Sequence, residues 1–283
     1  MTIHVLLPVH NRVHLTQQFL ASLDAQTCRE PRHLWVIDDG STDDTGEVLA
    51  SRSNTTILRA DGNLWWAGSV HYALQVVVPD LADGDWVYLA NNDTALEPDH
   101  LDRLLKSARQ HPGSVIGSIG VEIWQDGTRY PVTTGFNPDP ATLEVPGVPG
   151  TITEPTPSLA LAGRGMLIPA QAARQIRMHP RAMPQHFADL AMTSDLRRQG
   201  FAMIVEPTAR ADSLERAGSS TEFRPTLTGM LSRRSQLYLP AMWVFWWQLS
   251  TPWQRCTLLP RFLGRAIRQV ARRRYAVSSR APA

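Results

Sequence analysis

The amino-acid sequence predicts an α/β fold with a mostly parallel, doubly wound sheet flanked by helices and followed by a basic helical tail. Short apolar runs alternate with helix-length segments through the first 120 residues, a pattern typical of βαβ units. The hydrophobic content of 43% and the charged content of 19% suit a globular chain with a sizeable core. From about Pro225 onward the chain changes character and becomes rich in tryptophan and arginine.

Strands and helices can be assigned in order along these first residues. Apolar runs predict strands at Ile3–Val9, Leu34–Ile37, Thr55–Arg59, Trp86–Ala90 and Ser114–Gly120. Helical spacing predicts helices at Leu15–Leu23, from Ser41 onward, at Trp66–Val78 and at Pro98–Gln110. Because ligands of such sheets bind at the carboxyl ends of the strands, polar residues that follow a strand are the candidates for a site.

The next hundred residues are less regular. Residues 137–158 are rich in proline, glycine and threonine and predict a long loop across a site. Leu159–Pro169 is an apolar stretch interrupted by two glycines and an arginine. A helix is predicted at Pro184–Gly200, with the glycine as its terminator, and a strand at Phe201–Glu206.

Charge divides the chain at residue 222. All 26 acidic residues and 17 of the 28 basic ones lie in residues 1–222, a net charge of about −9, whereas residues 223–283 contain eleven arginines and no acid. We therefore predict a body of residues 1–222 and a separate segment of residues 223–283. Such a basic segment favours anionic partners.

The basic segment has the composition of an interfacial membrane helix. Apolar residues recur at helical spacing and arginines occupy the remaining face, after a cluster of four tryptophans. The apolar positions are Leu258, Leu259, Phe262, Leu263, Ala266, Ile267 and Val270, and the tryptophans are Trp243, Trp246, Trp247 and Trp253. Two alternatives remain, a surface helix packed on the body and a protein-docking segment. Nucleic acid is not an expected partner, because the basic residues avoid the rest of the chain and no nucleic-acid motif occurs.

The cysteines and the N-terminus predict a cytoplasmic location. Cys28 and Cys256 lie far apart and form no CxxC pair, which fits a reducing compartment. Residues 1–7 lack the basic start and long apolar run of a signal peptide. No window approaches 18 uninterrupted apolar residues, so a spanning helix is not expected.

Three acidic motifs are candidates for chemistry. Asp38 and Asp39 end the second strand, where a carboxylate can accept the imide N–H of uracil or thymine or bind ribose hydroxyls. Asp93 ends the fourth strand after two amides, and one carboxylate is sufficient for a magnesium or manganese ion that bridges a diphosphate. Asp189 opens the predicted helix at Pro184–Gly200, where a carboxylate stays ionised and suits a general base. Each taken alone could equally be a turn or helix cap.

Taken together, the motifs resemble glycosyltransferase family 2, whose members are inverting enzymes with the GT-A nucleotide-sugar fold. The resemblance covers about residues 3–220. It rests on Leu6-Leu7-Pro8-Val9-His10-Asn11-Arg12, on Asp38-Asp39-Gly40-Ser41-Thr42-Asp43 and on Gly62-Asn63-Leu64-Trp65-Trp66-Ala67-Gly68. The last stretch resembles the donor-side segment of rhamnosyltransferase-like members. Residues 1–222 would then be the catalytic domain, with a nucleotide-sugar-binding half at about 1–120 and an acceptor-side half at 121–222.

The resemblance implies roles for individual residues. Asp189 would be the catalytic base, although Ala188 stands where the family has a glutamate. Asp93 would be the metal ligand, with Asn91 in place of the first acid of a DxD motif. No histidine follows the strand near Glu206, and Asp212 is the nearest substitute as a second metal ligand. The donor-binding residues would be Pro8, His10, Asn11, Arg12, Asp39, Gly62, Asn63, Trp65, Trp66, Gly68, Asn91 and Asn92. The acceptor-side residues would be Gly163, Arg164 and His186.

The implied reaction is a single displacement that needs Mn²⁺ or Mg²⁺. Asp189 would deprotonate an acceptor hydroxyl, which attacks the anomeric carbon of a UDP- or dTDP-linked sugar, with rhamnose as a candidate sugar. The acceptor would be a lipid-linked saccharide or a polysaccharide, at the cytoplasmic face of a membrane. Two alternatives are a nucleotidyltransferase, disfavoured because no glycine-rich basic loop follows the first strand, and a non-catalytic nucleotide-sugar-binding protein.

Overall fold

The chain folds around a ten-stranded mixed sheet in a computed structural model that describes residues 1–50, 52–124, 126–215 and 230–265. The strands are β1 (Ile3–Val9), β2 (Arg32–Asp39), β3 (Thr55–Ala60), β4 (Trp86–Leu89), β5 (Thr94–Leu96), β6 (Val115–Ile123), β7 (Arg129–Val132), β8 (Gly135–Phe136), β9 (Thr156–Ser158), β10 (Ala160–Leu161), β11 (Met166–Pro169) and β12 (Met203–Ser213). The helices are α1 (Val13–Asp24), α2 (Thr45–Ala50), α3 (Trp65–Val77), α4 (His100–Gln110), α5 (Ala170–Ala173), α6 (Ala188–Arg198), α7 (Leu239–Leu249) and α8 (Pro252–Cys256).

The sheet is buried on both faces because successive side chains of its strands point to opposite sides. In β1, Val5 and Leu7 belong to one core with α1 and α4, whereas Leu6 belongs to the other core with α3 and α6. The α/β fold class with helices flanking a central sheet is therefore confirmed.

The direction of the strands differs between the two halves of the sheet. The order is β3-β2-β1-β4-β11-β6-β12-β5, with β7 paired to β6 and β9 paired to β12 beside this path, and β8 and β10 form a separate two-stranded sheet. Strands β1 to β4 form the parallel half. β11 lies between β4 and β6 and runs antiparallel to both, while β12 runs parallel to β6. A buried apolar run such as β11 reads the same in either direction, so the sequence pattern did not predict its orientation.

Three boundaries of helices and strands differ from the predicted ones. The second helix begins at Thr45 instead of Ser41, because Asp38 accepts a hydrogen bond from the amide of Ser41 in the preceding turn and Asp43 accepts one from the amide of Thr45. The helix predicted at Pro184–Gly200 covers only Ala188–Arg198. The last strand continues past Glu206 to Ser213 through an irregularity in its pairing with β6.

The basic segment divides into buried and exposed parts. Trp246 of α7 is fully buried and packs with residues of α6, so this helix contacts the body. Trp253 of α8 is 86% exposed. In the helical stretch 258–265, Leu258 and Phe262 are buried, whereas Leu259 and Leu263 are exposed. Of the predicted positions, Ala266, Ile267, Val270 and the arginines from Arg268 to Arg280 lie outside the described residues.

Two further predictions concern compartment. Both cysteines are free thiols, with Cys28 buried and Cys256 exposed. Within the described ranges, no helix is long and apolar enough to cross a membrane.

Candidate functional site

The parallel half of the sheet brings the predicted motifs to one edge. β1, β2 and β4 run side by side in the same direction, so the residues that follow them meet at their carboxyl ends. These are the turn at His10, the carboxylate of Asp39 and the turn that contains Asp93.

The turn after β1 is fixed by its own polar side chains. Asn11 and Arg12 have left-handed backbone angles, with φ of 56° and 63°. The Asn11 amide oxygen accepts a hydrogen bond from the backbone N–H of Thr42, and His10 Nδ1 lies 2.5 Å from the carbonyl oxygen of Asp39. Asn11 therefore acts by tying two loops together, while His10 and Arg12 face the site.

The carboxylate of Asp39 holds a distant loop in place. Its Oδ1 accepts hydrogen bonds from the N–H groups of Gly62 and Leu64, at 2.9 and 3.2 Å, and its Oδ2 accepts one from Trp65 at 2.9 Å. Asp38, in contrast, caps its own turn through the N–H of Ser41. Asp39 is thus more than a local cap, since it sets the start of α3 at the cavity edge.

Asp93 has an unpartnered oxygen. The backbone carbonyl of Asp93 accepts a hydrogen bond from Leu214, but its buried Oδ1 has no hydrogen-bond partner among the described residues. A buried carboxylate oxygen left unpaired costs free energy unless a cation or donor satisfies it. This oxygen is therefore available to a ligand.

The two amides before Asp93 are already engaged. Asn91 Oδ1 accepts the indole N–H of Trp66 at 3.0 Å, and Asn92 Nδ2 donates to Thr16 at 3.0 Å. Among the described residues no group of three or more His, Cys, Asp or Glu side chains could hold a metal. The residues present fit Mg²⁺ or Mn²⁺ bound through one carboxylate, because such ions take few protein ligands and complete their shell with water and phosphate oxygens.

Asp189 lies at the N-terminus of α6 with its carboxylate held by two backbone amides. Gly163 donates to Oδ2 at 2.9 Å and Leu190 donates to Oδ1 at 2.8 Å. Burial raises the pKa of Asp189 above the ordinary value of an aspartate, against the lowering effect of these two hydrogen bonds. A raised pKa makes this carboxylate a stronger base than an exposed one.

Trp66 is shared by two cavities and its ring lies beside Gly163. It lines both cavities, and a methyl group placed on Gly163 would come within 2.4 Å of its Cζ2 and within 3.5 Å of Asp189 Cβ. Only glycine at position 163 leaves room for this arrangement. Trp65 and Trp66 both line the smaller cavity.

The smaller cavity, of about 390 Å³, contains most of the predicted donor-binding residues. Its lining includes Pro8, His10, Arg12, Asp39, Gly62, Trp65, Trp66, Asn91, Asn92 and Asp93. The larger cavity, of about 760 Å³, contains Asp93, Gly163, Arg164, His186 and Asp189. Arg12, Trp66, Asn91 and Asp93 line both, so the two cavities adjoin.

A few predicted residues lie elsewhere. Gly68 is buried within α3, and the side chain of Asn63 does not line either cavity. Asp212 also lines neither cavity and binds Arg129 at 2.6 Å through Oδ1. Because strand neighbours point to opposite faces, it is Ser213 that lines the larger cavity. The structure thus does not bring Asp212 together with Asp93.

Other lining residues were not predicted. Gln185 lines both cavities, Arg234 lines the smaller one, and Glu122, Glu215 and Gln236 line the larger one. Gln185 could have been found from its position next to His186 and close to Asp189. Arg234 is one of several arginines in a basic segment, and no sequence signal distinguishes it.

Comparison with known proteins agrees with this architecture. The family model described as "Glycosyl transferase family 2" matches residues 4–168. Comparison with curated protein sequences found no match.

The solved structures that match share the fold at low sequence identity. GalNAc-T7 with UDP, GalNAc and Mn²⁺ superposes with a TM-score of 0.62 at 14% identity, over 82% of this chain and 47% of that one. Residues 1–349 of S. aureus TarS in complex with UDP-GlcNAc give 0.56 at 17% identity, over 80% and 62%. The chain therefore spans less than two thirds of the length of these proteins.

Proposed function

The chain belongs to glycosyl transferase family 2, and we propose that it is an inverting glycosyltransferase acting on a nucleoside-diphosphate sugar. One observation supports this most directly. Asp93, with its unpartnered oxygen, and Asp189, with its raised pKa, line the same larger cavity, while the nucleotide-side motifs line the adjoining smaller one. A diphosphate bound near Asp93 would direct its sugar toward Asp189.

In the proposed reaction the sugar moves in one displacement. The oxygen of the acceptor hydroxyl attacks the anomeric carbon of the donor sugar while the hydroxyl proton moves to a carboxylate oxygen of Asp189. The bond between the anomeric carbon and the diphosphate oxygen breaks at the same time. The nucleoside diphosphate leaves with the electron pair, and the anomeric configuration inverts. Gly163 and Leu190 orient the carboxylate through their N–H groups.

A divalent cation fits this scheme. Asp93 would hold Mn²⁺ or Mg²⁺, which when bound neutralises the charge that develops on the leaving diphosphate. Asn91 remains bonded to Trp66 and would hold the indole between the two substrates.

The donor proposed is a UDP- or dTDP-linked sugar, with rhamnose among the candidates. GalNAc-T7 and TarS were solved with UDP and UDP-GlcNAc, which favours a uridine or thymidine nucleotide here. The same likeness favours glycosyl transfer over nucleotidyl transfer. The larger cavity is lined by Glu122, Arg164, His186 and Gln236, which can hydrogen-bond the hydroxyls of a saccharide acceptor.

A donor panel tests this proposal. We expect one UDP- or dTDP-sugar to be consumed with Mn²⁺ or Mg²⁺ and to be spared in EDTA, with release of the nucleotide measured by chromatography. NMR of the product should show the anomeric configuration opposite to that of the donor. A product that keeps the donor's configuration would rule out a single displacement, and binding of a donor without turnover would favour the non-catalytic alternative.

The acceptor is proposed to be presented at the cytoplasmic face of a membrane. Three large apolar side chains of the basic segment are exposed, namely Trp253 (86%), Leu259 (55%) and Leu263 (52%). Arg255 and Arg261 lie close to them in the sequence. Large exposed apolar side chains next to cations suit an anionic lipid surface. The absence of acidic residues after Glu222 favours the same partner.

Vesicle binding tests the membrane proposal. We expect Trp253→Ala to weaken sedimentation with phosphatidylglycerol-containing vesicles by about tenfold, because burying a large apolar side chain is worth roughly 1.5–3 kcal/mol. Trp124→Ala is the matched control, since Trp124 is 52% exposed but lies at the end of β6, outside the basic segment. Equal binding to neutral vesicles, or equal loss in both variants, would contradict the proposal.

A further inference from the structure

Arg234, a residue of the basic segment, lines the smaller cavity. Residues 232–237 connect the body to α7, and within them Arg234 lines the smaller cavity whereas Gln236 lines the larger one. Ser235 between them is buried. This segment therefore contributes lining residues to both cavities.

Arg234 is exposed and has one contact at its backbone and one at its side chain. His186 Nε2 lies 3.1 Å from the carbonyl oxygen of Arg234 and can donate to it. The guanidinium carbon lies 5.9 Å from the centre of the Trp65 ring, within the range of a cation–π contact. Since Trp65 is held by Asp39, the cation is placed beside the loop that follows β3.

No described acidic residue neutralises the charge of Arg234. Arg12, the other arginine of the smaller cavity, forms an ion pair with Glu215 at 3.1 Å. Arg234 forms no ion pair with any acidic residue in the part of the chain that the structure describes. The acids of this cavity are Asp39, which is saturated by three amides, and Asp93. Arg234, which has no acidic partner among the described residues, is therefore available to an anionic ligand.

We infer that Arg234 binds the diphosphate of the donor directly and supplies the part of diphosphate affinity that does not depend on metal. This rests on the proposed function. A guanidinium presents N–H donors in a planar fork that matches phosphate oxygens, and the Trp65 face orients that plane. With Asn91 in place of a second acid, Asp93 alone would hold the cation, and Arg234 would provide positive charge that a one-carboxylate site cannot.

Nucleotide binding separates this role from a structural one. We expect Arg234→Ala to weaken UDP or dTDP binding in EDTA by roughly 10- to 100-fold in isothermal titration, the loss typical of a charge-assisted hydrogen bond. Binding of uridine or thymidine, which lack the diphosphate, should stay unchanged. Arg234→Lys should restore part of the affinity. Arg233→Ala is the matched control, since Arg233 is the adjacent arginine, is equally classed as exposed, and lines neither cavity.

The outcomes are distinguishable. Unchanged UDP affinity in Arg234→Ala, or an equal loss for the nucleoside and the diphosphate, would overturn the inference and leave the proposed function standing. Failure of the wild-type protein to bind either nucleotide would overturn the proposed function and this inference with it.

Discussion

Replacing Asp189 with asparagine is expected to lower kcat by about 10²- to 10⁴-fold, the usual contribution of a positioned general base. Asparagine has nearly the same shape but cannot accept the acceptor proton. Donor affinity should remain, because Asp189 lines only the larger cavity. The measurement is steady-state kinetics with the donor found in the panel, together with titration of the nucleotide.

The pH dependence provides a second check on the same residue. Because burial raises the pKa of Asp189, the acid limb of kcat/KM should lie above about 3.9, the ordinary value for an aspartate. Activity should fall as the pH drops through this raised pKa, since the protonated carboxyl cannot act as a base. In Asp189→Asn this limb should disappear from the residual activity.

Asp195→Asn is the control for that experiment. Asp195 lies on the same helix but binds Arg198 and Gln199 and lines neither cavity. It should keep wild-type activity. If Asp189→Asn is as active as Asp195→Asn, Asp189 is not the base.

The second large effect is expected at Asp93. Asp93→Asn removes the charge but preserves the shape, and should reduce turnover by about 100-fold or more, because metal stabilisation of a leaving group is worth several kcal/mol and 1.4 kcal/mol is tenfold. Addition of Mn²⁺ should no longer strengthen UDP or dTDP binding in this variant. Thermal unfolding with nucleotide and metal gives an independent measurement, since a ligand that binds only the folded state stabilises it by RT ln(1 + c/Kd), where c is the free ligand concentration.

Asp212→Asn decides between the two predicted metal ligands. Asp212 was predicted as a metal ligand from its sequence position, but its carboxylate binds Arg129 outside both cavities. We therefore propose Asp93 alone as the protein ligand and expect Asp212→Asn to keep its metal response. Loss of the metal response in Asp212→Asn and its retention in Asp93→Asn would reverse this assignment.

Much of the candidate site could be predicted because it follows strand ends. His10, Asp39 and Asp93 each come just after an apolar run, and parallel strands bring such positions to one edge whatever the details of packing. Asp189 was located by the same kind of local signal, a carboxylate that opens a helix. The α/β class followed from the alternation of strand and helix periods alone.

Other features depended on contacts between residues far apart in the sequence. Asp39 accepts hydrogen bonds from the loop at Gly62–Trp65. Trp66 donates its indole N–H to the amide oxygen of Asn91, and Gly163 leaves room for that indole. None of these pairings leaves a periodic pattern, so none could be predicted.

The fold class and the acids at strand and helix ends could be predicted, because both depend on periodicity within a few residues of the chain. The remaining features came from contacts between distant elements. The tertiary structure set β11 antiparallel, paired Asp212 with Arg129, and brought Arg234 over Trp65. The physical reason is that a side chain's partner is chosen by packing and charge across elements, and that choice is made only when the whole sheet and its helices come together.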